Sequence, residues 1–167
     1  ISAHVRKSAE AALGLDPGAE ISPSERCLSP SDFGFHNALR TPGGSLKFLD
    51  FEYAGWDDPA KLVGDFFNQV AVPVPMAHYP RFARAVADLF PDSERNLARF
   101  DLLLPVYTVK WITIMLNDFL PEGGKRRGFA GGTQDSETRK ARQLQKAERA
   151  LGALRDKHGP RASAAAG

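Results

Sequence analysis

The sequence holds a single cysteine, Cys27, which excludes an internal disulfide framework and points to a reducing compartment, the cytoplasm. Charge of either sign is nearly cancelled. The 22 Lys and Arg against 20 Asp and Glu leave a formal net charge of +2, which argues for neither a nucleic acid nor a membrane surface as partner. Long hydrophobic runs are also missing. The most apolar stretch, Leu102 to Leu120, contains Pro105, Lys110, Asn117 and Asp118, groups that are costly in a bilayer, and so reads as a buried helix. Ile1 to Leu15 carries Arg6, Lys7 and Glu10 in an amphipathic pattern, unlike a signal peptide. The chain opens on Ile in mid-helix, as a fragment of a longer protein would. What remains is an ordinary globular composition, 43% hydrophobic and 25% charged, over 167 residues, enough for one domain with a core.

Turn chemistry divides the chain. A helical pattern over Val5 to Leu13 is stopped by Gly14 and Asp16-Pro17-Gly18. Ile21 to Leu28 is short and irregular. Asn37 to Arg40, then Thr41-Pro42-Gly43-Gly44, then Ser45 to Phe51 reads as strand, tight turn and strand. From Asp58 onward the pattern is helical, with Asp58 as N-cap and Pro59 at the first helical position. Further helices are expected over Pro80 to Phe90, Ser93 to Phe119 and Ser136 to Lys157, with Pro105 kinking or splitting the second of these. Pro121 to Gln134, rich in Gly and carrying Lys125, Arg126 and Arg127, reads as a mobile surface loop. The Ala-, Ser- and Gly-rich end, 159–167, reads as a disordered tail. No internal repeat is visible. The expected fold is α+β and mostly α, one domain over 1–158, with one small β hairpin.

That hairpin is bracketed by three polar residues. Asp32 and Asn37 lie before it, in Ser29-Pro30-Ser31-Asp32-Phe33-Gly34-Phe35-His36-Asn37, and Asp50 ends its second strand, in Phe48-Leu49-Asp50-Phe51-Glu52. A turn at Pro42 to Ser45 folds the second strand back along the first and returns Asp50 to the neighbourhood of Asn37. An amide oxygen and a carboxylate so placed are hard donors suited to Mg²⁺, which takes one or two carboxylates together with waters and substrate phosphates. Asp32, five residues before Asn37, is placed to accept the proton of an incoming hydroxyl.

The Asp32-x-x-x-x-Asn37 spacing is that of a kinase catalytic loop, and Asp50-Phe51-Glu52 stands where kinases keep a metal-binding Asp-Phe-Gly. The runs SDFGFHNAL and LKFLDFEYAGWDDPAKLVGDF resemble the aminoglycoside phosphotransferase family, which includes choline-kinase-like enzymes. The motif-bearing match covers Cys27 to Phe67. The resemblance implies the C-terminal lobe of a protein-kinase-like fold, with the hairpin carrying the catalytic and metal-binding loops. Asp32 is then the catalytic base, and Asn37 and Asp50 hold the metal and, through it, the nucleotide. The implied cofactor is Mg²⁺, with ATP or GTP as co-substrate and a small hydroxyl-bearing molecule as acceptor. Two departures stand out. The family histidine two residues before the base is Pro30 here, and no glycine-rich strand pair or strand lysine of an N-terminal nucleotide-binding lobe is present. The chain by itself is therefore expected to be a poor catalyst whose apolar lobe face makes self-association possible.

Other readings attach to the same residues. A non-catalytic kinase-like remnant fits the missing lobe and Pro30. A helical interaction module fits the long helices from Ser93 and Ser136. His36 reads as a turn histidine bonded to backbone, and Cys27 as inert. Asp57 and Asp58 read as a loop acid and an N-cap outside the site. Glu52 is open between a group near the metal and a solvent-facing residue, and Asp65 between an acid bracing the catalytic loop and a solvated helix face. Lys125 to Arg127 is open between an anion-attracting loop and an ordinary basic one. Phe66, Phe67, Phe82, Phe90 and Phe100 are expected in the core, and Trp111 and Met115 along one packing stripe.

Overall fold

Asp58 and Pro59 open the first long helix among the described residues as their chemistry dictates. The Asp58 carboxylate accepts a hydrogen bond from the Ala60 amide at 2.8 Å, and Pro59 takes the first position of helix α1 (Pro59–Asn68). The structure, a computed structural model, describes residues 20–120 and 136–158. The expectations for Val5 to Leu13, for Pro121 to Gln134 with its three basic residues, and for 159–167 lie outside these residues. Around α1 stand strands β1 (Cys27–Ser29), β2 (Ala38–Arg40), β3 (Leu46–Phe48) and β4 (Gly55–Asp57). Helices α2 (Tyr79–Ala87), α3 (Ser93–Met115) and α4 (Ser136–His158) follow, with short 3-10 turns between. The fold is α+β and mostly helical, with two small antiparallel sheets among the described residues.

The expected hairpin is β2–β3, with Ala38 opposite Phe48 and Arg40 opposite Leu46. Gly44 supplies a positive φ of 84° in its turn. Its second strand is shorter than expected, because Asp50 adopts φ 62° and leaves the extended conformation. The second sheet is a correction to the expectation of a single hairpin. The stretch read as irregular, Ile21 to Leu28, runs into β1, which pairs with β4 so that Leu28 faces Trp56. Helix α3 runs unbroken through Pro105, and the expected helix to Phe119 ends at Met115 with a 3-10 turn, Leu116–Phe119. A proline costs an interior helix about 3 kcal/mol; here its ring is buried, and that packing offsets the missing hydrogen bond.

The chain divides after Tyr107 into two units. In the first, α1 contributes Ala60, Val63, Phe66 and Phe67 to the core, α2 contributes Tyr79, Ala83 and Ala87, and α3 contributes Phe100. The four-residue steps along α2 are one face of a helix. Phe82 packs against this cluster half-buried, while Phe90 is half-buried and outside it, a departure from its expected core place. Arg99 of α3 grips Asp58 with both guanidinium nitrogens, Nη1 to Oδ1 at 2.8 Å and Nη2 to Oδ2. The start of α1 is thus tied to α3 through a pair only 15% and 19% exposed. In the second unit Ile112, Met115, Ala147 and Leu154 are buried, and Asp118 in the 3-10 turn faces Arg139 of α4 at 3.4 Å. Among the described residues no helix is long and apolar enough to cross a membrane.

Gly64 lets α1 and α3 approach closely, since a Cβ there would stand 2.5 Å from the Tyr107 ring. Helix propensity alone favours alanine over glycine by about 1 kcal/mol. Gly64→Ala is nonetheless expected to destabilise by about 1–2 kcal/mol through overpacking, read from urea unfolding. Burial foremost, with the Asp101 carboxylate adding to it, pushes the Tyr79 phenol up. Burial and then the Asp58 and Asp65 charges do the same to Tyr107. Both phenols bind their protons more tightly folded than unfolded. Their contribution to stability is therefore complete below about pH 10, the ordinary tyrosine value, and is lost as pH rises beyond it. Unfolding free energy measured from pH 9 to pH 11.5 is expected to fall steeply above about pH 10, and less steeply in Tyr79→Phe.

Candidate active site

The loop after β1 is built on a strained turn. The Asp32 amide donates to the Pro30 carbonyl at 2.9 Å, and Ser31 between them has φ 66°, the γ-turn of positive φ that costs a non-glycine residue free energy. Its surroundings over-determine that conformation. The Ser31 amide donates to the hydroxyl of buried Ser29 at 3.2 Å, and Lys61 of α1 donates to the Ser31 hydroxyl at 3.3 Å. The same Lys61 ammonium lies 2.6 Å from Asp57 of β4 and 3.7 Å from Asp65, whose side chain is 1% exposed. The burial of Asp65 removes the reading of it as a solvated helix face. Asp57, read as a loop acid, belongs with Lys61 to the support of the loop. Part of the signal was present as spacing: Lys61 and Asp65 are four apart on one helix, the interval of neighbours on its face.

Aromatic rings fix the next stretch. Phe33 stacks on Phe66 of α1, ring centroids 5.1 Å apart, and lies 4.9 Å from Phe48 of β3. Phe35 meets Phe66 edge-on at 5.4 Å. With Phe33 and Phe35 held, the polar residues around them are placed. Asp32 Oδ1 lies 3.1 Å from His36 Nε2, and the Asn37 amide nitrogen donates to the Asp32 carbonyl at 3.0 Å. That bond consumes the nitrogen end of the Asn37 side chain and leaves its oxygen without a partner among the described residues. His36 is a correction, since it bonds the Asp32 side chain where a backbone partner was expected.

The hairpin carries the third residue back. The Leu49 amide donates to the Asn37 carbonyl at 2.8 Å, one step beyond the Ala38–Phe48 pair, so Asp50 follows directly on the residue opposite Asn37. Asp50 is exposed, and no hydrogen bond or ion pair engages its carboxylate among the described residues. Its exposure means that water satisfies it, so burial gives it no need of a metal. Glu52 is exposed as well. Asp32, Asn37 and Asp50 therefore share one loop-and-hairpin unit, the first two in direct hydrogen-bonded contact and the third at the adjoining backbone position.

Among the described residues no three His, Cys, Asp or Glu side chains gather into a metal site. The amide oxygen of Asn37 and the carboxylate of Asp50 are both hard oxygen donors, carried on adjoining backbone positions. Cys27 offers no competing chemistry. Burial first, then the Asp57 and Asp58 carboxylates, push its thiol up, which keeps it protonated and unreactive. Compared with family models, curated proteins and solved structures, the chain matches none.

Lys61→Met removes the ammonium shared by Ser31, Asp57 and Asp65. It is expected to cost about 1–3 kcal/mol in urea unfolding and to speed amide exchange at Asp32 and Asn37, with Lys61→Arg intermediate.

Proposed function

We propose that this chain is the metal- and acceptor-binding half of a small-molecule kinase, similar to the C-terminal lobe of aminoglycoside phosphotransferases and choline-kinase-like enzymes. The observation that carries the reading is the Asn37 side chain. Its nitrogen is tied to the Asp32 carbonyl, so its oxygen is free beside the strand end that brings Asp50 back. That is the arrangement a catalytic loop needs, with base and metal ligand locked to one another and the second ligand delivered by a hairpin.

In this reading Asp32 accepts the proton of an acceptor hydroxyl. The oxygen then bonds to the γ-phosphorus of ATP or GTP as the bond to the departing nucleoside diphosphate breaks. Asn37 and Asp50 hold Mg²⁺, which supplies charge neutralisation on the phosphates when bound. The strained γ-turn at Ser31 fits a loop whose geometry is fixed in advance. Pro30, where the family has histidine, takes part in that turn through its carbonyl. A partner lobe gripping the nucleotide is part of the proposal. Leu39, Leu46, Leu49, Phe51, Tyr53 and Trp56 are all exposed on the hairpin and the segment after it, apolar surface of the kind an adjoining lobe or a second copy covers. The setting proposed is the cytoplasm.

The test is direct. Mn²⁺ standing in for Mg²⁺ is expected to broaden the NMR signals of Asn37 and Asp50 first, and Asp50→Ala to abolish the effect. With a nucleotide-binding kinase lobe fused upstream, transfer of labelled γ-phosphate from ATP to a panel of amino alcohols, aminoglycosides and sugars is expected to fall by about 10²–10⁴-fold in Asp32→Ala. Broadening that is absent or unchanged in Asp50→Ala, with no transfer by the otherwise unmodified fusion, would favour a non-catalytic remnant.

A further inference from the structure

The Asp32–His36 contact goes beyond the role of Asp32 itself. His36 Nε2 lies 3.1 Å from Asp32 Oδ1, while His36 Nδ1 is buried without a hydrogen-bond partner among the described residues. A proton on Nδ1 would leave a buried N–H unsatisfied, at a cost of about 1–3 kcal/mol. The neutral ring therefore carries its proton on Nε2 and donates it to Asp32. The ring is held against the backbone of Gly34. A Cβ at that position would stand 2.7 Å from Nδ1 and 2.9 Å from Cε1, so glycine is required for the close approach and not for its backbone angles. Phe33 and Phe35, on either side of Gly34, are anchored on Phe66. The histidine is thus confined by packing to one orientation, with its donor aimed at one oxygen of the carboxylate.

We infer that His36 is a positioning residue for the base: it engages Asp32 through Oδ1 and leaves Oδ2 to face the acceptor. This rests on the phosphotransferase reading. The side chain of Asp32 is 48% exposed, and an unsupported carboxylate so open to water rotates among orientations. One hydrogen bond from a confined donor selects an orientation before the acceptor arrives, and misplacement of about 1 Å at a reacting group costs roughly a hundredfold in rate. The acceptor proton passes to Oδ2 as its oxygen bonds to phosphorus and the nucleoside diphosphate leaves. His36 gives up no proton in this step and contacts no substrate.

The experiment has two arms on the full chain. ¹⁵N correlation spectra of the His36 ring are expected to show a single Nε2–H tautomer that becomes a mixture in Asp32→Ala. A dominant Nδ1–H form in the unmodified protein overturns the assignment. In single-turnover transfer of labelled phosphate from Mg·ATP to the acceptor panel, with a nucleotide-binding kinase lobe fused upstream, His36→Leu is expected to lower the rate about ten- to a hundredfold, with apparent affinity for Mg·ATP unchanged. His36→Gln, which keeps a donor near the Nε2 position, is expected to recover most of the loss. Gly34→Ala, which displaces the ring while keeping the histidine, is expected to lower the rate to a similar degree and replaces His36→Leu where that variant does not fold. An active protein whose rate is untouched by loss of His36, or is lost without rescue by Gln, overturns this assignment alone. With a nucleotide-binding kinase lobe fused upstream, an otherwise unmodified chain that transfers no phosphate overturns the kinase reading, and this inference with it.

Discussion

Phe66 is the contact on which the arrangement of the first unit turns. Its ring stacks on Phe82 of α2 at 4.6 Å and on Phe33 of the loop at 5.1 Å, and meets Phe35 and Phe67 edge-on. Burying one such side chain is worth about 1.5–3 kcal/mol, and paired rings add about 0.5–1.5 kcal/mol beyond that. Through Phe66 the hydrophobic free energy of the core is spent on a segment with almost no regular structure, and Phe48 of β3 enters the same stack through Phe33. The loop is thus held from below by apolar rings, while its polar edge stays open.

A second set of contacts holds the same loop, and it is ionic. Lys61 joins Ser31 to Asp57 and Asp65, so one ammonium couples the γ-turn, the end of β4 and the buried side of α1. Aromatic packing sets the depth of the loop, and Lys61 sets its path. Neither alone determines the orientation of Asp32, because rings do not specify hydrogen-bond direction and Lys61 stops one residue short. The His36 contact supplies that last degree of specification.

Local chemistry was the legible part of the sequence. The Asp58 cap, Pro59, the turn of β2–β3 and the start of α4 at Ser136 each depend on a few adjacent residues, and each is found where spacing put it. The pairing of β1 with β4 depended on a partner far along the chain, and three-residue strands with exposed Leu28 and Trp56 give no alternation to read. The ambiguity of Asp65 could not be resolved from α1 alone, since the packing of neighbouring elements decides which face of α1 is buried. His36 was misread for the same reason. A histidine four residues after an aspartate reaches it only if the loop curls, and the curl is imposed by Phe33, Gly34 and Phe35 against α1. Asp50 was legible as a position but not as an environment: apolar Phe48 and Leu49 precede it, yet the residue itself is exposed.

The Asp58 carboxylate serves two partners at once. One oxygen accepts from the Ala60 amide and also from Arg99, and the other accepts from Arg99 alone. Asparagine would keep the cap but lose one acceptor and the charge, and glutamate would keep the charge but carry its oxygens too far from the first turn. Few single replacements preserve both duties. Across diverging sequences, position 58 should then vary far less than its place in a surface-lying connection suggests, and when it does change, position 99 should change with it. A residue omitted from the chemistry can in this way carry as strong an evolutionary signature as the residues that perform it.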